Sequence, residues 1–177
     1  AIGNSSSSSG SAATMIGYDA DSTAAADYSV GLGAYADTAN YGEIRFGSGN
    51  KNDYRNSMVT LRGSTADETS TILYTNGVSL NEWVLGIGDA VFVKATVFGF
   101  DETAGETAAY TVTGAAINAS GTTTISNAST TVIHEDDASW DVALTANDGT
   151  DTFRFTVTGD ASNTVKWIIK VEILEVT

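Results

Sequence analysis

The chain has a single histidine, His134, so any Ser-His-Asp arrangement for nucleophilic catalysis has to use it. His134 lies at the end of a predicted strand, and no Gly-x-Ser-x-Gly turn is present to hold a serine nucleophile. The Gly86-Ile87-Gly88-Asp89 segment lacks the lysine and the following helix of a phosphate-binding loop. These patterns favour a surface histidine and predict no catalytic residue and no cofactor.

Carboxylates are the other chemically useful side chains, because the chain has 22 Asp and Glu residues. Two carboxylates across a groove could hydrolyse glycosides, and oxygen-rich loops could bind calcium. The calcium candidates are Asp19 with Asp21, residues 135–137, and Asp148 with Asp151. None has EF-hand spacing, and most acids lie beside turns, where Asp stabilises the bend through its own backbone. The sequence therefore predicts neither an enzyme nor a metal site, and the acids are expected to keep the molecule soluble.

The net charge of −14 and the composition exclude several classes of protein. Eight basic residues are too few to displace the counterions of a nucleic acid, so no nucleic-acid partner is expected. The absence of cysteine excludes disulfides and thiolate-bound metals, and no apolar run approaches the roughly 18 residues of a membrane span. The start at Ala1 lacks methionine and a signal-peptide pattern, so we expect a fragment or a processed product.

The elements that position these side chains are predicted to be strands. The chain has 25 Thr, 14 Val and 11 Ile, which fit a pleated sheet, and it has no proline. Only 38 of its 177 residues are Ile, Leu, Val or Phe, so one copy would bury little for its length. The composition therefore predicts an all-β fold that is completed by other copies of the chain.

A pair formed by an apolar residue and a glycine recurs in the first 47 residues at intervals of 14 to 16 residues. The pairs are Ile2-Gly3, Ile16-Gly17, Leu32-Gly33 and Phe46-Gly47. Such a period is typical of a solenoid, in which each repeat is one coil that stacks on the next. We expect Ile16 and Leu32 to face the interior, and Gly17 and Gly33 to lie where a Cβ would clash. A flexible Ser-rich linker is the alternative.

The first repeat, Ala-Ile-Gly-Asn-Ser-Ser-Ser-Ser-Ser-Gly-Ser-Ala-Ala-Thr, resembles the head repeats of trimeric autotransporter adhesins and of phage tail fibres. The resemblance implies left-handed parallel β-roll repeats over residues 1–47, with three chains packed around a threefold axis. The second repeat departs from the pattern by two extra residues within 24–30, where a bulge or loop is expected. Because each coil has one large apolar side chain to bury, a homotrimer is the predicted assembly.

Residues 45–62 carry four of the eight basic residues, whereas the first 44 residues contain five acids and no base. This change in charge marks a boundary, and we predict a basic neck or linker over residues 48–62. Two interpretations fit the pattern. The segment is a solvated loop, or its basic side chains pair with acids of a neighbouring chain.

From residue 63 onward the sequence alternates over longer stretches and predicts an antiparallel, jelly-roll-like β-sandwich over residues 63–177. Strands are predicted at residues 90–100, 110–113, 122–126, 130–134, 140–145, 152–158 and 164–176, with turns rich in Asn, Asp and Gly between them. The last strand is expected to be central or closing. Its Trp167 is expected to pack against Phe153, Phe155 or Trp140.

The end of the chain, with the runs 153–159 and 171–176, resembles the C-terminal domains of phage tail-fibre and virion-appendage proteins. This implies a non-enzymatic structural protein of the extracellular virion that acts in host attachment through the sandwich. Its implied partners are other virion proteins and a host surface glycan or envelope protein. A capsid or head decoration protein is the alternative, followed by a polysaccharide depolymerase or a self-cleaving fibre domain.

The predicted receptor-binding residues lie in turns, because loops carry recognition while rigid strands hold them in place. They are Asp101, Glu102, Glu106, Ser120, Gly121, Asp148 and Asp151.

Overall fold

The computed structural model describes residues 1–47, 54–77 and 82–177, and its regular structure is nearly all β, which confirms the predicted class. The described residues contain a 3-10 turn at Asp148–Thr150 and no α-helix. They therefore include no helix long and apolar enough to cross a bilayer. The strands are β1 (Thr14–Ile16), β2 (Val30–Leu32), β3 (Ile44–Phe46), β4 (Tyr54–Thr65), β5 (Thr71–Ile72), β6 (Trp83–Val84), β7 (Ala90–Asp101), β8 (Thr107–Asn118), β9 (Thr123–Glu135), β10 (Asp141–Asn147), β11 (Thr152–Thr158) and β12 (Val165–Val176).

The first three strands stack as successive coils of the chain. β1, β2 and β3 pair in parallel, with Met15 opposite Gly31 and Gly31 opposite Arg45. Glycines allow the coils to approach closely, since a Cβ on Gly17 would lie 2.0 Å from the carbonyl oxygen of Gly33. The predicted clash at Gly17 is confirmed. The predicted clash at Gly33 is wrong, because a Cβ there would lie 3.3 Å from the Gly47 nitrogen, which is tight but not a clash. The φ of +104° at Gly33 itself favours glycine.

The prediction that Ile16 and Leu32 face the interior of the coils is wrong. Their side chains are 41% and 37% exposed, whereas Met15 is completely buried. Successive side chains of a strand point to opposite faces of the sheet. In β1, Ile16 precedes the repeated glycine and faces outward, so Met15, one position earlier, faces inward. Gly31 provides space for Met15, because a Cβ on Gly31 would lie 2.1 Å from the Met15 Cε atom.

The fourth strand joins the coils to the rest of the sheet. β4 pairs antiparallel with β3 and, along its whole length, with β12. The predicted boundary between residues 62 and 63 falls inside this strand, and residues 54–62 of the predicted neck form most of it. The remainder of the predicted neck, residues 48–53, lies outside the described residues. Residues 54–62 of the predicted neck are therefore part of a strand.

A buried ion pair stabilises the junction between the coils and β4. Arg45 donates from Nε to the carboxylate of the fully buried Glu43 at 2.7 Å, and the Ser57 hydroxyl donates to the same oxygen at 2.7 Å. The backbone N–H groups of Ala39 and Asn40 donate to the other oxygen. A buried charge pair is tolerated when its remaining hydrogen-bonding groups are satisfied, and these contacts satisfy the carboxylate of Glu43.

Two sheets enclose the main hydrophobic core. The larger has the strand order β1-β2-β3-β4-β12-β7-β8-β9, and the smaller contains β10, β11, β5 and β6. The alternation predicted for β7 is confirmed, since Val91, Val93, Ala95 and Val97 are at most 2% exposed. Both sheets contribute residues to a single hydrophobic cluster, which holds the smaller sheet against the larger one.

Most strands predicted after residue 90 are present. β11 has the predicted bounds, β7 extends one residue further, and β12 begins one residue late and lies in the middle of the larger sheet. β8 is longer than the predicted strand at 110–113. The short strands predicted at 122–126 and 130–134 are parts of one bulged strand, β9. Trp167 packs edge-on against Trp140 with ring centroids 5.6 Å apart, one of the three predicted contacts.

Candidate functional site

The outer face of the larger sheet carries a line of exposed apolar side chains. Strand pairing places one residue from each neighbouring strand in register, from the N-terminal bridge through β7. Only Asn56 in β4 interrupts the apolar character of this line. We call its six apolar members the apolar row: Ile2, Ile16, Leu32, Phe46, Leu174 and Phe92.

The apolar row is long and well exposed. The exposed fraction of its side chains runs from 37% for Leu32 to 69% for Ile2. The line joins seven strand positions, which at the usual strand spacing of about 4.8 Å extend over about 29 Å. Single exposed apolar residues are ordinary, but a contiguous apolar surface marks an interaction site. The row is therefore the strongest candidate for a binding surface among the described residues.

Charged side chains border the apolar row beside Phe46. Lys94, Lys170 and Glu172 line the same shallow surface depression as Phe46 and Leu174. The ammonium of Lys170 lies 2.9 Å from the carboxylate of Glu172, and this hydrogen bond and charge lower the pKa of Glu172. Both side chains remain about half exposed, so the pair contributes little to stability. An apolar centre with a charged border is typical of a protein interface.

The predicted receptor-binding residues lie at two opposite ends of the larger sheet, because antiparallel strands reverse direction at alternate ends. One set lies in the hairpin between β7 and β8: Asp101, Glu102 and Glu106. The other set lies in the β8–β9 turn and the β10–β11 connection: Ser120, Gly121, Asp148 and Asp151. One flat binding surface can therefore contain only one of these two sets.

The first set contains residues with different roles. Asp101 is fully buried, and its Oδ1 accepts hydrogen bonds from the backbone N–H groups of Thr103 and Ala104. Glu102 is exposed and lies 2.6 Å from the ammonium of Lys166. Asp101 therefore shapes the turn, and Glu102 is accessible to a partner.

The second set is joined by hydrogen bonds to the start of β9. The backbone N–H of Thr123 donates to Asp148 at 2.8 Å, and the Thr123 hydroxyl donates to Asp151 at 3.3 Å. Ser120 and Gly121 have φ values of +62° and +84°, so both adopt the left-handed conformation of a tight turn. These contacts bring the β8–β9 turn and the β10–β11 connection to the same end of the molecule.

His134 lies at the end of β9 and forms no Ser-His-Asp arrangement among the described residues. His134 Nε2 lies 3.2 Å from the Asp136 carboxylate, and the imidazole is 54% exposed. Hydrogen bonds from Thr107 and then from His134 lower the pKa of Asp136. No serine or threonine hydroxyl of the described segments hydrogen-bonds to His134. Asp21, a predicted calcium candidate, accepts hydrogen bonds from the backbone and the hydroxyl of Ser7.

Comparison with solved structures finds similarity to phage tailspike proteins. The fold is similar to a tailspike protein from Acinetobacter baumannii bacteriophage Fri1, a capsular polysaccharide depolymerase, with a TM-score of 0.38 and 13% identity over 90% of this chain and 28% of that one. It is also similar to the tailspike protein of Acinetobacter phage vB_ApiP_P1, with a TM-score of 0.29 and 10% identity over 93% of this chain and 39% of that one. This chain thus spans less than half the length of either tailspike. No protein-family model and no curated protein matches it.

Proposed function

We propose that the chain is part of a bacteriophage virion appendage, in which three copies associate through the apolar row and the C-terminal strands act in host attachment without enzymatic activity. The apolar row carries this proposal, since an isolated chain would expose six apolar side chains in one line. The glycine-stacked coils support it as well, because their sequence resembles adhesin-head and tail-fibre repeats. The proposed location is the extracellular virion, with other virion proteins as neighbours.

Three copies can bury the row if each turns the same sheet face toward a common axis. Each side chain of the row then meets its counterparts from the other two copies. Full burial of a large apolar side chain contributes roughly 1.5–3 kcal/mol, so a half-exposed one still has about 1 kcal/mol to gain. The gain recurs along the whole row, whereas the charged border at Lys94 and Glu172 can stay in contact with water.

The assembly is tested by the mass in solution and by charge placed in the row. Sedimentation equilibrium should give three times the chain mass of 18.3 kDa. Leu32→Glu or Leu174→Glu should give a folded monomer, because each would place three carboxylates at the axis. The control is Ile87→Glu, at a residue 74% exposed outside the row, and it should remain trimeric. A parent protein that is monomeric at micromolar concentration would contradict the proposal, as would a trimeric Leu32→Glu variant.

The attachment role is tested with the recombinant protein as a competitor of phage adsorption. Added protein should reduce adsorption to host cells, and a variant of the exposed Glu102 or Ser120 should lose this effect while its circular dichroism spectrum stays unchanged. Incubation with the host capsular polysaccharide should release no new reducing ends. Release of reducing ends would replace the non-enzymatic proposal with a depolymerase.

The position in the particle separates attachment from the alternative role in capsid decoration. Gold-labelled antibodies against the recombinant chain should mark the tail region of the virion in electron micrographs. Labelling spread over the capsid shell, together with loop variants that compete as well as the parent, would favour the decoration alternative.

A further inference from the structure

Three connections of the fold bring acidic side chains together at one end of the sheets. They are Glu106 before β8, Asp137 between β9 and β10, and Asp160 between β11 and β12. One carboxylate oxygen of each lies within 4.8 Å of the others, and all three side chains are half-buried. We call this group the carboxylate cluster. It includes Glu106, predicted above as a receptor-binding residue, and Asp137 from the calcium candidate at residues 135–137.

A fourth carboxylate, that of the fully buried Asp101, lies close enough to the cluster for its charge to act on Glu106. Asp101 and Glu106 are opposite each other across the β7–β8 hairpin, where the Asp101 N–H donates to the Glu106 carbonyl at 2.9 Å. Opposite residues of a hairpin point to the same face, and here that is the inner face. Asp101 Oδ1 accepts two backbone hydrogen bonds, whereas its buried Oδ2 has no hydrogen-bond partner among the described residues. A buried, unpartnered carboxylate oxygen is costly unless a cation or a donor reaches it.

Backbone N–H groups donate to Asp137 and Asp160, but no basic side chain of the described residues balances the charge at this end. Burial raises the pKa of Glu106, and the charges of Asp137, Asp101 and Asp160 raise it further. No basic side chain of the described segments forms an ion pair with any member of the cluster. The nearby Lys166 pairs instead with the exposed Glu102. The three acids of the cluster and the neighbouring Asp101 thus have no basic partner in the part of the chain that the structure describes.

We propose that the carboxylate cluster binds one Ca²⁺ ion, with Glu106, Asp137 and Asp160 as ligands, beside Asp101, whose buried Oδ2 atom has no hydrogen-bond partner among the described residues. Calcium takes oxygen ligands at about 2.4 Å, so two of its ligands lie at most about 4.8 Å apart, and the three carboxylate oxygens lie within that distance of one another. Carboxylates from three separate connections suit the irregular coordination of Ca²⁺ better than the strict octahedron of Mg²⁺. The bound ion would link three loops of this end to one another.

Calcium binding is tested first on the full chain after removal of metal with EDTA. Isothermal titration with CaCl₂ should give one ion per chain, and MgCl₂ should bind at least tenfold more weakly. A Ca²⁺ concentration 100 times the dissociation constant should lower the unfolding equilibrium constant about 100-fold. Absence of heat and of thermal stabilisation at millimolar Ca²⁺ would overturn the proposal. Equal affinity for Mg²⁺ would overturn the assignment to calcium.

Substitutions in the cluster distinguish a metal ligand from a structural hydrogen-bonding role. Glu106→Gln and Asp160→Asn should each lower the Ca²⁺ affinity at least tenfold. In Ca²⁺-free buffer Glu106→Gln should melt at the same temperature as the parent or higher, because it removes repulsion, and the order should reverse when Ca²⁺ is added. The matched control is Glu68→Gln, at an exposed acid elsewhere, which should bind Ca²⁺ like the parent. A Glu106→Gln variant with parental affinity, or one less stable than the parent in both buffers, would overturn the proposal.

Discussion

Trp167 is the side chain that links the centre of the larger sheet to the smaller one. It lies in the central strand β12, is 3% exposed, and packs edge-on against Trp140. Its indole N–H donates to the Thr65 hydroxyl at 3.1 Å. The residue opposite it in β7 is Gly99, where a Cβ would lie 2.6 Å from the Trp167 ring. The absence of a side chain at Gly99 therefore makes room for the indole.

Trp167→Ala should lower the free energy of unfolding by about 3–5 kcal/mol, because it removes buried apolar surface and leaves a cavity between rigid strands. Urea unfolding followed by circular dichroism measures this change. The control is Lys166→Ala, at the adjacent residue on the outer face, which should change stability by less than about 0.5 kcal/mol. Equal losses in the two variants would mean that the indole does not hold the sheets together.

Glu175 is a buried carboxylate whose charge is only partly compensated. It is 3% exposed, and its Oε1 lies 3.3 Å from Arg55 Nη1, while its Oε2 has no hydrogen-bond partner in the described parts of the chain. Burial raises the pKa of Glu175, and the opposing charges of Arg55 and Arg45 reverse this only in part. The folded chain thus holds this proton more tightly than the unfolded chain does.

This raised pKa predicts how stability depends on pH. The contribution of Glu175 is fully present below its unfolded pKa of about 4.5 and is lost as the pH rises through its higher folded pKa. Glu175→Gln should therefore be more stable than the parent at pH 7, and the difference should shrink toward pH 4. Urea midpoints of both proteins between pH 4 and pH 8 measure it. A difference that is independent of pH would contradict the expected titration.

At the scale of elements, local sequence pattern predicted strands best where alternation is strong. β11 and β12 have long alternating apolar runs, and their bounds agree with the prediction to within one residue. β4 was not predicted, because in its twelve residues only Val59 and Leu61 mark the inner face with large aliphatic side chains. Its alternation depends on pairing with β12, more than a hundred residues later, which no local pattern contains.

Only part of the apolar row can be predicted from the sequence, because pairing between distant strands brings its members together. The repeats revealed the apolar residues of the coils, but a three-residue strand does not show which of two adjacent side chains faces inward. The buried position of Met15 depends on Gly31, its neighbour in the next coil. Leu174 and Phe92 join the row only through pairing between β12 and β7, and the carboxylate cluster likewise combines three distant connections.

Adjacent residues of β1 should respond to the same substitution in opposite ways. Met15→Asp buries an unpaired charge among the coils and should unfold them at a cost of several kcal/mol. Ile16→Asp places the charge on the exposed face, so the coils should stay folded while the trimer dissociates. Hydrogen exchange of residues 1–47 and sedimentation separate the two effects. If Ile16→Asp lost exchange protection as Met15→Asp does, the assigned inner and outer faces would be wrong.

At the scale of the whole molecule, net charge opposes the proposed assembly. Each chain carries a net charge of −14, so three chains bring a large excess of negative charge together. The apolar row is not weakened by salt, whereas repulsion between exposed charges is screened over about 10 Å at 0.1 M salt and about 3 Å at 1 M. Because salt screens the repulsion and leaves the apolar contacts intact, the stability of the trimer should increase with ionic strength.

Added salt should therefore strengthen the trimer. Between 20 mM and 500 mM NaCl the concentration at which the trimer dissociates should fall, on the order of tenfold, because screening removes repulsion and leaves apolar burial intact. Sedimentation velocity over a dilution series at each salt concentration measures the shift. The exposed pair of Lys170 and Glu172 beside the row provides the contrast, since contacts of that kind between chains would weaken as salt is added. A trimer that dissociates at high salt would show that such charged contacts, and not the apolar row, hold the copies together.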